Sequence, residues 1–175
     1  MKKTVLTFGL ISGAVSAAMM LVSIPFVDKI GWEKGEILGY TTIVLSALLV
    51  CFGVRSYREN AGGGRLTFGR GLAVGMLITL ISSACYVGTW EFVYYKLMPN
   101  FSEKYAAHMA ERAKASGATQ PKVDETERQA EQFKQMYANP AINVAMTFLE
   151  VLPIGLVVTL VSAGILRRKA LAPQN

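Results

Sequence analysis

The sequence predicts an all-α integral membrane protein, a four-helix bundle with an extracytoplasmic helical hairpin between spans 3 and 4. Three observations predict it. Hydrophobic residues make up 52% of the chain and charged residues only 17%, against about 25% charged in soluble domains. The apolar residues fall into four blocks, at 4–27, 37–54, 71–97 and 140–166; a helix needs roughly 20 such residues to cross a hydrocarbon core about 30 Å thick. The longest polar stretch, about 100–138, repeats its apolar residues at helical spacing. The whole chain reads as a single membrane domain.

The first block follows Lys2 and Lys3 and contains Ala14, Ser16, Ala17 and Ala18, which imitates a cleavable secretory signal. The apolar run nevertheless continues through "MMLVSIPFV", longer than the apolar region of such a signal. It reads as an uncleaved first span. The second and third blocks are separated from their neighbours by "GWEKGE" and "RENAGGGR", and the fourth is introduced by "NP". Four spans return both termini to one side.

Basic residues give the orientation, because Lys and Arg in short loops stay cytoplasmic. One face gathers Lys2, Lys3, Arg55, Arg58, Arg65, Arg70, Arg167, Arg168 and Lys169 against the acid Glu59. The opposite short loop sets Lys29 and Lys34 against Asp28, Glu33 and Glu36. Both termini are therefore expected on the cytoplasmic side of the membrane. Trp32, Tyr40, Trp90, Tyr94 and Tyr95 would gather at the outer interface, where amphipathic rings settle. The net charge of +6 is thus accounted for by orientation and anionic headgroups, and nucleic acid is not an expected partner.

Between spans 3 and 4, "NFSEKYAAHMAERAKAS" places Phe101, Tyr105 and Met109 on one helical face, with Asn100 available as a cap and Glu103 in the first turn. Gly117 stops this helix. A second stripe follows at Val123, Thr126, Ala130, Phe133 and Tyr137, ending at Asn139 and Pro140. Six acids balance six bases between Glu103 and Lys134, so each arm has one apolar face and a solvated remainder. Packing within the chain is the favoured use of those faces; docking of a partner is the alternative.

Inside lipid, small residues four apart let helix backbones approach closely. Gly9 and Gly13, Gly35 and Gly39, and Gly71 and Gly75 fit that spacing in spans 1, 2 and 3, and Ala17, Thr79 and Ser83 extend two of the tracks. They predict helix packing, either within one chain or in a homo-oligomer.

Two acids stand apart. At 1.5 Å per residue, Glu150 lies about 25 Å from the cytoplasmic end of span 4, and Glu91 about 30 Å along span 3. Their depths are similar, so a meeting of the two carboxyls is conceivable from sequence. Pro153 removes a backbone donor and displaces the Leu149 carbonyl one residue from Glu150. Ionisable groups inside a span are costly and mark functional candidates; here they suggest a polar pocket for a proton or cation. Against this, no chain of polar residues leads across the spans, which favours a packing role.

Other motifs fall short. "GGGRLTFGRG" has phosphate-loop glycine spacing, but Arg70 and Gly71 stand where Lys and Ser or Thr are needed. It reads as a flexible cytoplasmic turn. Cys51, Cys85 and the lone His108 have no companions for a disulfide, a metal or covalent catalysis. No cofactor is expected and no enzyme is predicted.

The stretch "RSYRENAGGGRLTFGRGLAVGMLITLISS", together with "NPAINVAMTFLEVLPIGLVVTLVSAGILRRK", resembles a family of small bacterial membrane proteins known only as a domain of unknown function. The resemblance covers nearly the whole chain and implies four spans, but carries over no activity and no site residues. The expected function is a non-enzymatic structural or accessory membrane protein, engaging lipid and itself or a membrane partner. The alternative is a small transporter or proton- or cation-binding protein using Glu91 and Glu150.

Overall fold

The computed structural model describes residues 1–167, the side chains of Val27 and Asp28 excepted. Helix α1 runs Lys2–Ser23 and ends where Pro25 forces a 3-10 turn over Ile24–Phe26. A short α2, Val27–Ile30, leads through Gly31 (φ 83°) into α3, Trp32–Asn60. The remaining helices are α4 (Phe68–Phe92), α5 (Phe101–Ala115), α6 (Gln120–Tyr137) and α7 (Pro140–Leu166). Helix α3 exceeds the apolar block 37–54 by about a turn or more at each end. Its flanks, "WEKGE" and "RSYREN", are rich in the helix formers Glu, Lys and Arg, and Arg55 pairs with Glu59 at 3.0 Å one turn on. Four helical stretches, Lys2–Phe26, Trp32–Asn60, Phe68–Leu97 and Pro140–Leu166, are long and apolar enough to cross a membrane.

The chain divides into two compact units, one of residues 1–87 with 148 onward, the other of residues 88–147. The division falls inside α4 and α7, not at the polar loops where the apolar blocks end.

In the first unit, α1 and α4 run parallel, with Gly9 against Ile81 and Gly13 against Cys85. Helix α3 is antiparallel to α1: Gly53 packs beside Phe8, and Ser12 bonds to Ser46. Helix α7 is antiparallel to α4, with Gly71 against Ala163 and Gly75 against Thr159. Two apolar clusters fill this unit. Val5, Val50, Val54, Leu66, Val74 and Ile78 form one, and Ile43, Tyr86 and Val151 the other.

The rest of the interior is polar in composition. Ser12, Ser16, Thr42, Ser46, Thr79, Ser82, Ser83, Thr159 and Ser162 are all buried, whereas Leu10, Val22, Leu48, Phe52, Val157 and Ile165 are exposed. A water-soluble bundle would invert this. In hydrocarbon the hydrophobic effect does not hold helices together, so close packing and hydroxyl bonds must. The bonded hydroxyls lie in separate groups, one at Ser12, Ser46 and Ser82 and another at Thr79 and Thr159.

The second unit is the hairpin with the adjoining ends of α4 and α7. A π-helical turn over Val93–Leu97 follows α4. Asn100 precedes α5 but makes no side-chain capping bond, contrary to expectation. Gly117, at φ 70°, terminates α5 in the left-handed conformation that glycine tolerates best. Asn139 caps α7, its Oδ1 accepting from the Ala141 N–H at 3.0 Å.

Candidate functional site

Six aromatic rings close a circuit in the second unit. Trp90 meets Phe101 edge-on at 4.9 Å, Phe101 stacks on Tyr105 at 5.9 Å, and Tyr105 reaches Phe133 at 5.0 Å. Phe133 lies 4.1 Å from Tyr137, Tyr137 lies 6.2 Å from Tyr94, and Tyr94 returns to Trp90 at 6.2 Å. The stripes expected on α5 and α6 therefore face each other and the end of α4; Trp90–Phe101 and Phe101–Tyr105 have the edge and offset-stacked geometries favourable for rings, and the other four pairs are tilted. Val123 and Ala130 are buried along the same seam. Outside it, Lys114 Nζ bridges the arms to Glu127 at 2.8 Å, and that carboxylate holds the lysine above its ordinary pKa. Lys134 approaches Glu103 at 3.9 Å.

Asn143, fully buried, is the polar centre of this unit. Its Oδ1 accepts from Trp90 Nε1 at 3.1 Å, and the hydroxyl of Thr147 donates to its backbone carbonyl at 2.9 Å. Nδ2 of Asn143 has no partner. Tyr94 OH and Ser102 Oγ lie 3.2 Å apart nearby in the chain. Sequence reasoning missed Asn143, although an asparagine one turn inside an apolar span, with Thr147 four residues on, is a readable signal for a buried polar bond.

Glu91 follows Trp90 in the last turn of α4 and is half-buried; its Oε1 is shielded from solvent and has no hydrogen-bond partner. Glu150 belongs to the first unit and is exposed on α7. Pro153 is exposed as well, and α7 continues through it. Among the described residues, no three His, Cys, Asp or Glu side chains group as metal ligands. Cys51 and Cys85 are not joined in a disulfide.

The glycine tracks differ in their surroundings. A Cβ on Gly9 would lie 2.8 Å from Ile81 Cβ, on Gly13 2.7 Å from Cys85 Sγ, on Gly71 3.2 Å from Ala163 Cβ, and on Gly75 2.6 Å from Thr159 Cγ2. Gly35 and Gly39 meet nothing within 4 Å, because α3 buries no residue before Thr42. Gly53 and Gly155 were not singled out, yet a Cβ on Gly53 would crowd Ile78 and one on Gly155 would crowd Thr79. The four-residue spacing Gly155, Thr159, Ala163 in span 4 was the signal for the second of these.

The hydroxyls join these contacts. Ser12 Oγ donates to the Ser46 carbonyl at 2.7 Å and has one hydrogen to give, so it accepts from Ser82 Oγ at 2.8 Å. Thr79 and Thr159 hydroxyls lie 3.2 Å apart. Ser16, Thr42 and Ser46 bond back to carbonyls of their own helices. Three helices thus meet at Ser12, and two at Thr79.

No curated protein and no solved structure matches the chain. A family model described as a protein of unknown function, DUF4199, matches residues 7–168, and the chain belongs to that family.

Proposed function

We propose that this membrane protein is a non-enzymatic structural or accessory component of a bacterial inner membrane, with both ends cytoplasmic and the α5–α6 hairpin outside. The aromatic circuit is the observation that carries the reading. It consumes the apolar faces of both arms and leaves their charged faces, including Glu111, Lys122 and Arg128, as the surface offered to an aqueous partner. The basic residues at the other end of the spans support the orientation.

A photo-crosslinking amino acid placed at Glu111, Lys122 or Arg128 in native membranes tests this. The reading expects the same crosslinked protein from hairpin positions and none from the lipid-facing control Val157. Adducts with lipid alone at every position would count against it. Alkaline phosphatase fused after Arg128 should be active, reporting an extracytoplasmic hairpin.

A second reading, transport or binding of a proton or cation through Glu91 and Glu150, is favoured by the partnerless Oε1 of Glu91. An acid without a donor in a span is a place for an exchangeable proton or ion. Proteoliposomes that lose proton or cation flux on Glu91→Gln would establish it, and silent wild-type proteoliposomes would remove it.

A further inference from the structure

We infer that the first unit carries a headgroup site for anionic phospholipid at the loop between α3 and α4, built from Arg65 and Arg70. Glu59 is the acid of that end, and it is already taken: Arg55 Nε bonds its Oε1 at 3.0 Å and Arg58 Nη2 bonds the same oxygen at 3.1 Å. Arg65 and Arg70 share in neither bond, and both are exposed. The helix registers bring Lys2 and Lys3 to the same end, with Arg167 at the close of α7. Positive charge is left over at this end, and none of it is needed to balance protein acid.

The loop that presents the two arginines is held in one conformation, which separates it from a general excess of charge. Gly62 N–H bonds the Tyr57 carbonyl at 2.9 Å, Gly64 N–H bonds the Arg58 carbonyl at 2.9 Å, and Arg65 N–H bonds the Gly62 carbonyl at 3.0 Å. Gly63 and Gly64 adopt φ of 57° and 78° to permit this. Leu66 is then driven into the core, 2% exposed, against Gly71. Thr67 Oγ1 accepts from the Arg70 N–H at 3.3 Å and fixes the start of α4. This corrects the expectation of a flexible turn.

Between the arginines, Phe68 is 42% exposed, and a Cβ on Gly69 would meet nothing within 4 Å. Two exposed arginines on either side of an exposed phenylalanine in the chain, at the end of a span, suit a ligand with a phosphodiester head and an acyl tail. The guanidinium fork binds phosphate oxygens in pairs, and the ring enters the acyl boundary. A free phosphate would use only the first half of that surface, so the site is assigned to the lipid.

The test compares thermal unfolding of the full chain in nanodiscs of phosphatidylcholine and in nanodiscs that also contain phosphatidylglycerol, with native mass spectrometry of retained lipid. Phosphatidylglycerol should raise the melting temperature and be retained over phosphatidylcholine. Retention should fall about fivefold for each arginine removed in Arg65→Gln and Arg70→Gln. Soluble glycerol phosphate should not reproduce the shift. Unchanged preference in the double variant, equal melting in both nanodiscs, or full reproduction by glycerol phosphate would each overturn the assignment. Melting of the double variant in phosphatidylcholine alone, expected at the wild-type temperature, shows that it folds. Should it not fold, loss of the wild-type shift in 1 M salt is the independent readout, and a salt-insensitive shift overturns the proposal.

Discussion

The Thr159 methyl lies 2.6 Å from where a Cβ on Gly75 would sit, so α4 and α7 touch at a point that has room for hydrogen only. Gly75→Ala should lower stability by about 1–3 kcal/mol through overpacking. Gly164→Ala, where nothing lies within 4 Å, should be neutral or stabilising, since alanine is the better helix former by about 1 kcal/mol. Thermal unfolding of both variants in detergent micelles checks the pair, and equal effects would contradict the packing described.

Ser12 and Ser83 are both 1% exposed or less, but only Ser12 is bonded, to Ser46 and Ser82. Ser12→Ala should cost about 0.6 kcal/mol and at most about 1.7 kcal/mol, the mean and maximum for interhelical hydrogen bonds in a membrane. Ser83→Ala removes an oxygen with no partner and should be neutral or stabilising. Reversal of that order in a denaturant titration would show that the hydroxyls are not the glue.

Trp90 and Trp32 are the two tryptophans, so Trp32→Phe leaves fluorescence reporting on the Asn143 bond. In that background Asn143→Leu should shift the Trp90 emission and lower the stability by about 1–3 kcal/mol, because the indole N–H loses its buried acceptor. An unmoved spectrum would mean that the bond is absent in the membrane.

The Lys114–Glu127 bond makes the hairpin sensitive to alkaline pH. Glu127 raises the lysine's pKa in the folded state, so its contribution is complete below the unfolded lysine value of about 10.4 and is lost as pH rises through the higher folded value. Lys114→Gln should lower the melting temperature slightly at pH 8, and the difference from wild type should shrink as the pH rises above about 10.4. A difference that stays constant or grows over that rise would contradict the assignment.

How much of this was legible depends on which signal the residues carried. Blocks 20 or so residues long expose a span directly, and α7 begins at Pro140 and ends at Leu166 as its apolar block does. The hairpin was equally open, because Phe101, Tyr105, Phe133 and Tyr137 recur at helical spacing and then meet ring to ring. Gly9, Gly13, Gly71 and Gly75 could be named by spacing, but spacing holds equally for Gly35 and Gly39, whose neighbours are set by where α3 begins to be covered. The loop at Gly62–Arg65 was misjudged because glycine content suggests freedom, whereas here three backbone bonds and the buried Leu66 use that freedom to fix one shape. Asn143 carries no charge to mark it within the span, and its donor, Trp90, is distant in sequence.

The bundle turns its hydroxyls inward and leaves aliphatic side chains such as Leu48 and Val157 exposed. Spin labels at Leu48 and Val157, in a Cys51→Ser, Cys85→Ser background in liposomes, test it most directly. High collision rates with oxygen and low rates with a water-soluble nickel complex at both positions are predicted, whereas ready access of the nickel complex to either would contradict it.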